Sequence, residues 1–172
     1  MNYHHGDLRR AMTSAAATAV AERGPAGLSL RELARLAGVS HAAPAHHFGD
    51  KAGVLTAVAA EGFRLLTAAL AEAEDDLLAS GLAYVRFAVD HPGHFAVMFD
   101  RSLLHGDDAE LRAAEQTASA ALAGLASDAD AARAAWSVAH GFASLWLSGA
   151  ITGPDVATAA EPVLRRTVLG LP

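Results

Sequence analysis

The chain has 172 residues, no cysteine and a formal net charge of -6, which excludes a disulfide framework and any thiolate metal site and fits one sizeable domain or two small ones. The charge is uneven: residues 1–64 balance at +2 and residues 65–172 at -8, a weakly basic head followed by an acidic body that would repel a polyanion from all but the intended face. The opening MNYHHGDLRR lacks the apolar core of a signal peptide, and the longest apolar stretch, 134–151, is interrupted by Ser137, His140, Ser144 and Ser148, as in a buried helix rather than a membrane span. A cytoplasmic protein with no membrane partner is the expectation.

Ala, Leu, Glu and Arg dominate, and no stretch of useful length alternates as a strand would, so the chain reads as all-α. A first helix is expected over 7–23, with Leu8, Met12, Ala15, Ala16, Ala19 and Val20 facing inward. Gly24-Pro25-Ala26-Gly27 breaks it. Residues 28–51, LSLRELARLAGVSHAAPAHHFGDK, then carry the densest pattern in the chain. Ser29 precedes a helical run with Glu32 three residues on, the spacing of a capping box. Leu30, Leu33, Ala34 and Ala37 form one apolar face. Gly38 suits the left-handed end of that helix, Val39 plugs the turn, and Ser40 can cap a second short helix with Pro44 in its first turns. Phe48 returns to the core, Gly49 and Asp50 break and recap, and Lys51 starts the next helix. Two helices joined by so tight a turn make a helix-turn-helix, the element that places a short helix in the DNA major groove; the plain alternative is a helical hairpin inside a bundle.

Further on, a long helix is expected from Lys51 toward Ala79, connecting head and body, with Ser80-Gly81 ending it. A fifth runs to His91, and Pro92-Gly93 separates it from a short helix around 95–99. Asp107 or Asp108 can cap a helix reaching Leu125, and Asp128 or Asp130 the next, to Ser148. After a break at 149–154, a last helix covers Asp155 to about Leu169. The domains expected are a helix-turn-helix head over 1–50 and a helical body over 51–172, with the fourth helix as connector.

At this point the chain resembles the TetR/AcrR family of bacterial one-component regulators. The resemblance rests on 17–23 with Gly24, Leu28-Ser29-Leu30-Arg31-Glu32-Leu33-Ala34, Ala37-Gly38-Val39-Ser40 and His47-Phe48-Gly49-Asp50-Lys51. In the body, Tyr84-Val85-Arg86-Phe87-Ala88, His91-Pro92, Phe95, Met98-Phe99, Trp136-Ser137 and His140-Gly141 are similar to the branch with a C-terminal domain of the WHG type. The resemblance implies an all-α homodimer. Each subunit would have a three-helix DNA-binding head and a C-terminal helical bundle for ligand binding and dimerisation. It would be a repressor that leaves its operator when a small molecule binds, with the fourth helix transmitting the change. Ser29, with Arg31, would meet phosphate from the start of the second helix. Ser40, His41, Ala42 and Ala43 would read bases, His46 would reach the groove and His47 would pack or contact DNA, and Lys51 would meet phosphate. Alanines there can offer only apolar contact to thymine methyl groups. Ala45 departs from the family, which commonly has tyrosine there to hold the backbone; the alternative is therefore the same fold with a degenerate head, acting as a ligand- or partner-binding dimer.

Phe87, Phe95, Met98, Phe99, Trp136, His140, Phe142 and Trp146 read singly as core and together as an apolar ligand pocket with His140 as polar anchor, suited to an apolar or aromatic effector. Val138, Gly141, Leu145 and Gly149, facing Val163, Leu164, Thr167 and Val168, are expected to dimerise. Two histidine groups invite a metal reading. His41, His46 and His47 lack a completing ligand. His91, His94 and His105 could bind zinc or sense pH, but His91-Pro92 reads more simply as the end of the fifth helix, where an imidazolium suits the dipole. No cofactor is expected. Neither a nucleophile–base pair nor a Glu-x-x-His pattern supports an enzyme on this bundle.

Overall fold

The computed structural model describes residues 5–40, 43–73, 76–124 and 127–168. Among them are nine α-helices, one 3-10 turn and no strand: α1 His5–Arg23, α2 Leu30–Leu36, α3 Ala43–Phe48, α4 Lys51–Ala71, α5 Leu77–Asp90, α6 Pro92–Met98, the turn Arg101–Leu103, α7 Ala109–Gly124, α8 Ala129–Leu147 and α9 Val156–Val168. The chain divides into two compact units. The first comprises residues up to Gly62 together with His91–Ala114, the second Phe63–Asp90 and Glu115 onward.

In the first unit α1 packs on α2 and α6, and α2 on α3. Met12, Ala16, Ala19 and Val20 of α1, Leu33 and Ala34 of α2, Val97 and Met98 of α6 and Leu111 of α7 are buried. Burying a side chain such as Leu33 contributes about 1.5–3 kcal/mol. α6 reaches α1 at Gly93, where a Cβ would stand 1.9 Å from the Ala17 carbonyl oxygen, and Met98 lies where a side chain on Gly62 would be. α4 has the length and composition of a membrane span, with mean hydropathy 1.5. Its residues 54–60 are nonetheless buried without a gap, as in the core helix of a folded domain.

In the second unit α5 packs against both α8 and α9, which also pack on each other. Tyr84, Val85 and Ala88, Ala139, Phe142 and Ala143, and Ala160 and Leu164 supply its core, with Leu66 and Leu70 from α4. Two boundaries differ from the sequence expectation. Pro92-Gly93, expected as the break before the short helix, forms the first turn of α6, because proline suits the start of a helix. α4 ends at Ala71 rather than near Ala79, and α5 begins at Leu77. The Asp76 carboxylate accepts the Ala79 N–H at 2.7 Å and caps α5. Ser80-Gly81, expected as a terminator, lies inside α5. The missing side chain of Gly81 is used for packing: the Leu164 methyls lie 3.3 and 3.4 Å from where a Cβ would be.

Candidate nucleic-acid interface and aromatic cluster

The helix-turn-helix forms largely as its residues dictate. Ser29 is extended at the N-cap of α2, and its Oγ accepts the Glu32 N–H at 3.2 Å. The reciprocal half of the capping box is absent, because the Glu32 carboxylate is taken by Arg23 at 2.5 Å. That guanidinium holds the Glu32 carboxyl below its usual range. At the other end Gly38 has φ +67°. Its N–H bonds the Arg35 carbonyl at 3.2 Å, while the Val39 N–H bonds the Ala34 carbonyl at 3.0 Å. These are the two bonds of a Schellman cap, and they redirect the chain toward α3.

Of the residues expected at DNA, Ser29, Arg31, Ser40, His46 and His47 are exposed and Lys51 is half-buried. His41 and Ala42 lie outside the described residues, as does the side chain of Ala43. His46 and His47 stand side by side on α3, ring centroids 5.6 Å apart and edge to face. The expectation that His47 packs inward is corrected. Pro44 is buried and Phe48 half-buried; four residues apart, they take the inner face of this short helix and leave His47 roughly 100° around it. The Arg9 guanidinium sits 6.0 Å from the centroid of the Phe48 ring, within cation–π range.

Between α3 and α4, Gly49 turns the chain at φ +76° and Asp50 caps α4 by accepting the Gly53 N–H at 2.9 Å. That bond, and after it the His105 imidazole, holds the Asp50 carboxyl below its usual range. Lys51 reaches the Ala26 carbonyl at 3.4 Å, a long contact that leaves its charge available for phosphate. Gly53 was not singled out by sequence. A Cβ there would meet the Phe48 carbonyl oxygen at 1.9 Å, so only glycine lets α4 come so close to the end of α3. A glycine in the first turn of an otherwise good helix was the available signal.

The aromatic set divides between the units. Phe95, Met98 and Phe99 belong to the first, where the Phe95 and Phe99 rings meet edge to face at 5.7 Å. Phe87, Trp136, His140, Phe142 and Trp146 belong to the second, with Phe142 stacked on Trp146 at 6.2 Å. There the centre is a residue the sequence reading left out of the pocket, Tyr84. Its hydroxyl accepts the Trp136 indole N–H at 3.1 Å and lies 2.9 Å from His140 Nδ1. Burial pushes the phenol well above its ordinary range, so the hydroxyl keeps its hydrogen and donates it to Nδ1. Burial also pushes the His140 pKa down. The neutral ring accepting at Nδ1 therefore carries its own hydrogen on Nε2. A buried tyrosine needs a partner for its hydroxyl, and that rule, applied to the Tyr84–Ala88 segment, would have found it.

The expected dimer stripe is also only partly outward. Leu145 and Val163 are 47% and 42% exposed, and nothing lies within 4 Å of where a Cβ on Gly141 would be; Val138 is half-buried. Gly149 instead closes α8 at φ +75°, with its N–H on the Trp146 carbonyl and the Ala150 N–H on the Leu145 carbonyl, both at 2.9 Å. Leu164 turns inward and is 3% exposed, because Gly81 leaves it a socket. The side chains of Thr167 and Val168 lie outside the described residues. His91 opens α6 rather than ending α5. Its ring meets that of His94 at 5.6 Å, and His94 Nε2 faces the Glu61 carboxylate at 3.4 Å. Among the described residues no three His, Asp or Glu side chains are grouped to hold a metal.

Two sequence families match the chain. Residues 13–58 match the bacterial regulatory proteins of the tetR family, and residues 77–168 the tetracyclin repressor-like C-terminal domain. None of the functionally curated proteins matches it. Among solved structures, a Rhodococcus sp. RHA1 protein of unknown function is 34% identical, with TM-score 0.81 over 99% of this chain and 98% of that one. The TetR family transcriptional regulator PfmR from Thermus thermophilus is 22% identical, with TM-score 0.72 over 94% and 98% of the two chains. The TetR-like regulator LfrR from Mycobacterium smegmatis, in complex with proflavine, is 20% identical, with TM-score 0.72 over 96% and 99%. Both ends of the chain, the helix-turn-helix and the helical bundle beyond it, thus carry one family's signature, and the protein belongs to the TetR family of DNA-binding transcriptional regulators.

Proposed function

We propose that the protein is a cytoplasmic homodimeric repressor that leaves its operator when an apolar or aromatic small molecule binds the second unit. The observation that carries the ligand half is the Trp136–Tyr84–His140 relay. It sets a half-buried imidazole with a defined N–H between the buried Tyr84 and the exposed Trp136, the combination of a few fixed polar groups with aromatic surface that small-molecule sites use. That LfrR, a relative of the same fold, binds proflavine supports an aromatic effector. The exposed Leu145 and Val163 on α8 and α9 support a two-fold contact through these helices. Paired heads would then read half-sites one helical turn apart, about 34–36 Å. α4 contributes residues to both units and is the route by which ligand binding reaches the head. In this division residues 1–50 read DNA, through Ser29, Arg31, the start of α3, His46 and His47, helped by Lys51 at the first position of the connecting α4, and residues 51–172 bind effector and dimerise.

Fluorescence anisotropy against labelled DNA from upstream of the protein's own gene, across a salt series, tests the DNA half. Saturable binding that survives excess random duplex is expected. Equal loss to any competitor overturns the reading and points to a head weakened by Ala45. Sedimentation at micromolar concentration should give a dimer, and monomer alone refutes the interface. Replacing Trp136 with a charged side chain should abolish the response to an effector while leaving operator binding intact, and simultaneous loss of folding counts against the pocket.

A further inference from the structure

The connection between α6 and α7 lies far in sequence from the start of α4, yet one residue fastens the two together twice over. The His105 backbone N–H donates to Thr56 Oγ1 at 2.9 Å. Thr56 is 3% exposed, and its hydroxyl donates onward to the Ala52 carbonyl at 2.7 Å. The His105 imidazole, through Nε2, lies 2.9 Å from Asp50 Oδ1, the same oxygen that accepts the Gly53 N–H. His105 therefore grips the N-cap of α4 and a buried hydroxyl in its second turn, on either side of Lys51 in the chain. A few residues on, Glu110 in the first turn of α7 pairs with Arg9 of α1 at 2.5 Å. Arg9 in turn covers the Phe48 ring at the end of α3.

We infer that His105 is a positioning residue for DNA binding, one that fixes the first two turns of α4 and so holds Lys51 and the end of α3 in the register the operator requires. The inference rests on the DNA-binding role of the head. The physical reason is local. Asp50 puts a carboxylate next to the cation expected at phosphate, where an unpaired negative charge opposes a polyanion. A donor on that carboxylate both offsets its charge and stops the cap from rotating. The second bond, to Thr56, ends on a buried hydroxyl, so it anchors the backbone of an exposed residue to the core side of α4's second turn. The connection after α6 thus acts as a strut on the head, and any shift in it acts on the start of α4 without passing along the length of that helix.

The test compares wild type with His105→Ala, His105→Gln and Thr56→Val. It uses operator anisotropy at fixed salt, thermal unfolding, and hydrogen exchange at the amides of residues 53–56. His105→Ala should weaken operator binding about three- to fivefold, the scale of an exposed paired contact, with an unfolding midpoint within about 2 °C of wild type and faster exchange at Gly53. His105→Gln keeps a neutral N–H donor of similar reach and should restore most of the affinity. Thr56→Val should speed exchange in the second turn and weaken binding similarly. Unchanged affinity in His105→Ala overturns the inference. So does failure of the glutamine to rescue, which would make His105 a direct phosphate cation instead. If wild type itself does not bind saturably, the regulatory reading of the head fails, while unchanged exchange at Gly53 in His105→Ala would separately sink the strut.

Discussion

Gly53→Ala offers a sharp test of how the head is assembled, because two effects of opposite sign meet there. By intrinsic propensity, alanine in place of glycine inside a helix stabilises by about 0.5–1 kcal/mol. Here the new Cβ would stand 1.9 Å from the Phe48 carbonyl oxygen and 2.9 Å from its carbon, against an ordinary contact of 3.4 Å or more. The obstructing atoms are backbone, so no rotamer relieves them. About 1.5 Å must be found by moving the end of α3 away from α4, and overpacking of this kind costs about 1–3 kcal/mol and more when backbone must shift. The clash wins, and a net loss of roughly 1–2 kcal/mol corresponds to a midpoint about 2–8 °C lower for a chain of this size. The displaced element is also the one carrying His46 and His47, so operator affinity should fall beyond what unfolding explains. Thermal unfolding by circular dichroism, with anisotropy well below the midpoint, measures both. Gly124→Ala is the control: it ends α7 with nothing within 4 Å of the new methyl, and it should leave the midpoint unchanged or raised. A Gly53→Ala protein as stable as wild type, with unchanged affinity, would refute the close approach of α3 and α4.

Lys51→Ala should weaken binding alike on specific and random duplexes and lower the salt slope by about 1; an unchanged slope removes Lys51 from the interface. Tyr84→Phe removes the hydroxyl that Trp136 and His140 share, so the unfolding midpoint should fall by an amount equivalent to about 0.5–1.5 kcal/mol per hydrogen bond lost; a neutral result means that water replaces the hydroxyl. The Asp128 carboxyl is held below its usual range, first by the Ala131 N–H and then by Ser127. A lowered folded pKa adds stability that is present above the unfolded value near 4 and is lost as pH falls through the folded value. Urea titrations of Asp128→Ala and wild type should accordingly differ at pH 7 and converge toward pH 2, and a gap that persists in acid argues against the cap.

Local chemistry made most of this protein legible. Ser29, Gly38, Asp50, Asp108, Asp128 and Asp155 each mark a helix boundary by acting within a few residues of themselves, and the structure uses each of them so. The two-helix motif with its exposed histidines follows from the same short-range rules, which is why the DNA-binding head could be read without coordinates. What escaped were residues whose roles are set by chain far away in sequence. Gly81 and Gly93 looked like breaks until Leu164 filled the socket of the first and the Ala17 carbonyl stood where a side chain on the second would be; Gly53 looked incidental until the Phe48 carbonyl did the same. Tyr84 and His105 are ordinary on their own helix and turn, and acquire meaning only from Trp136 and His140, and from Asp50 and Thr56. Caps and periodicities belong to the chain's local stereochemistry, and sequence determines them; close approach and buried hydrogen bonds belong to pairs of elements, and only their packing decides them.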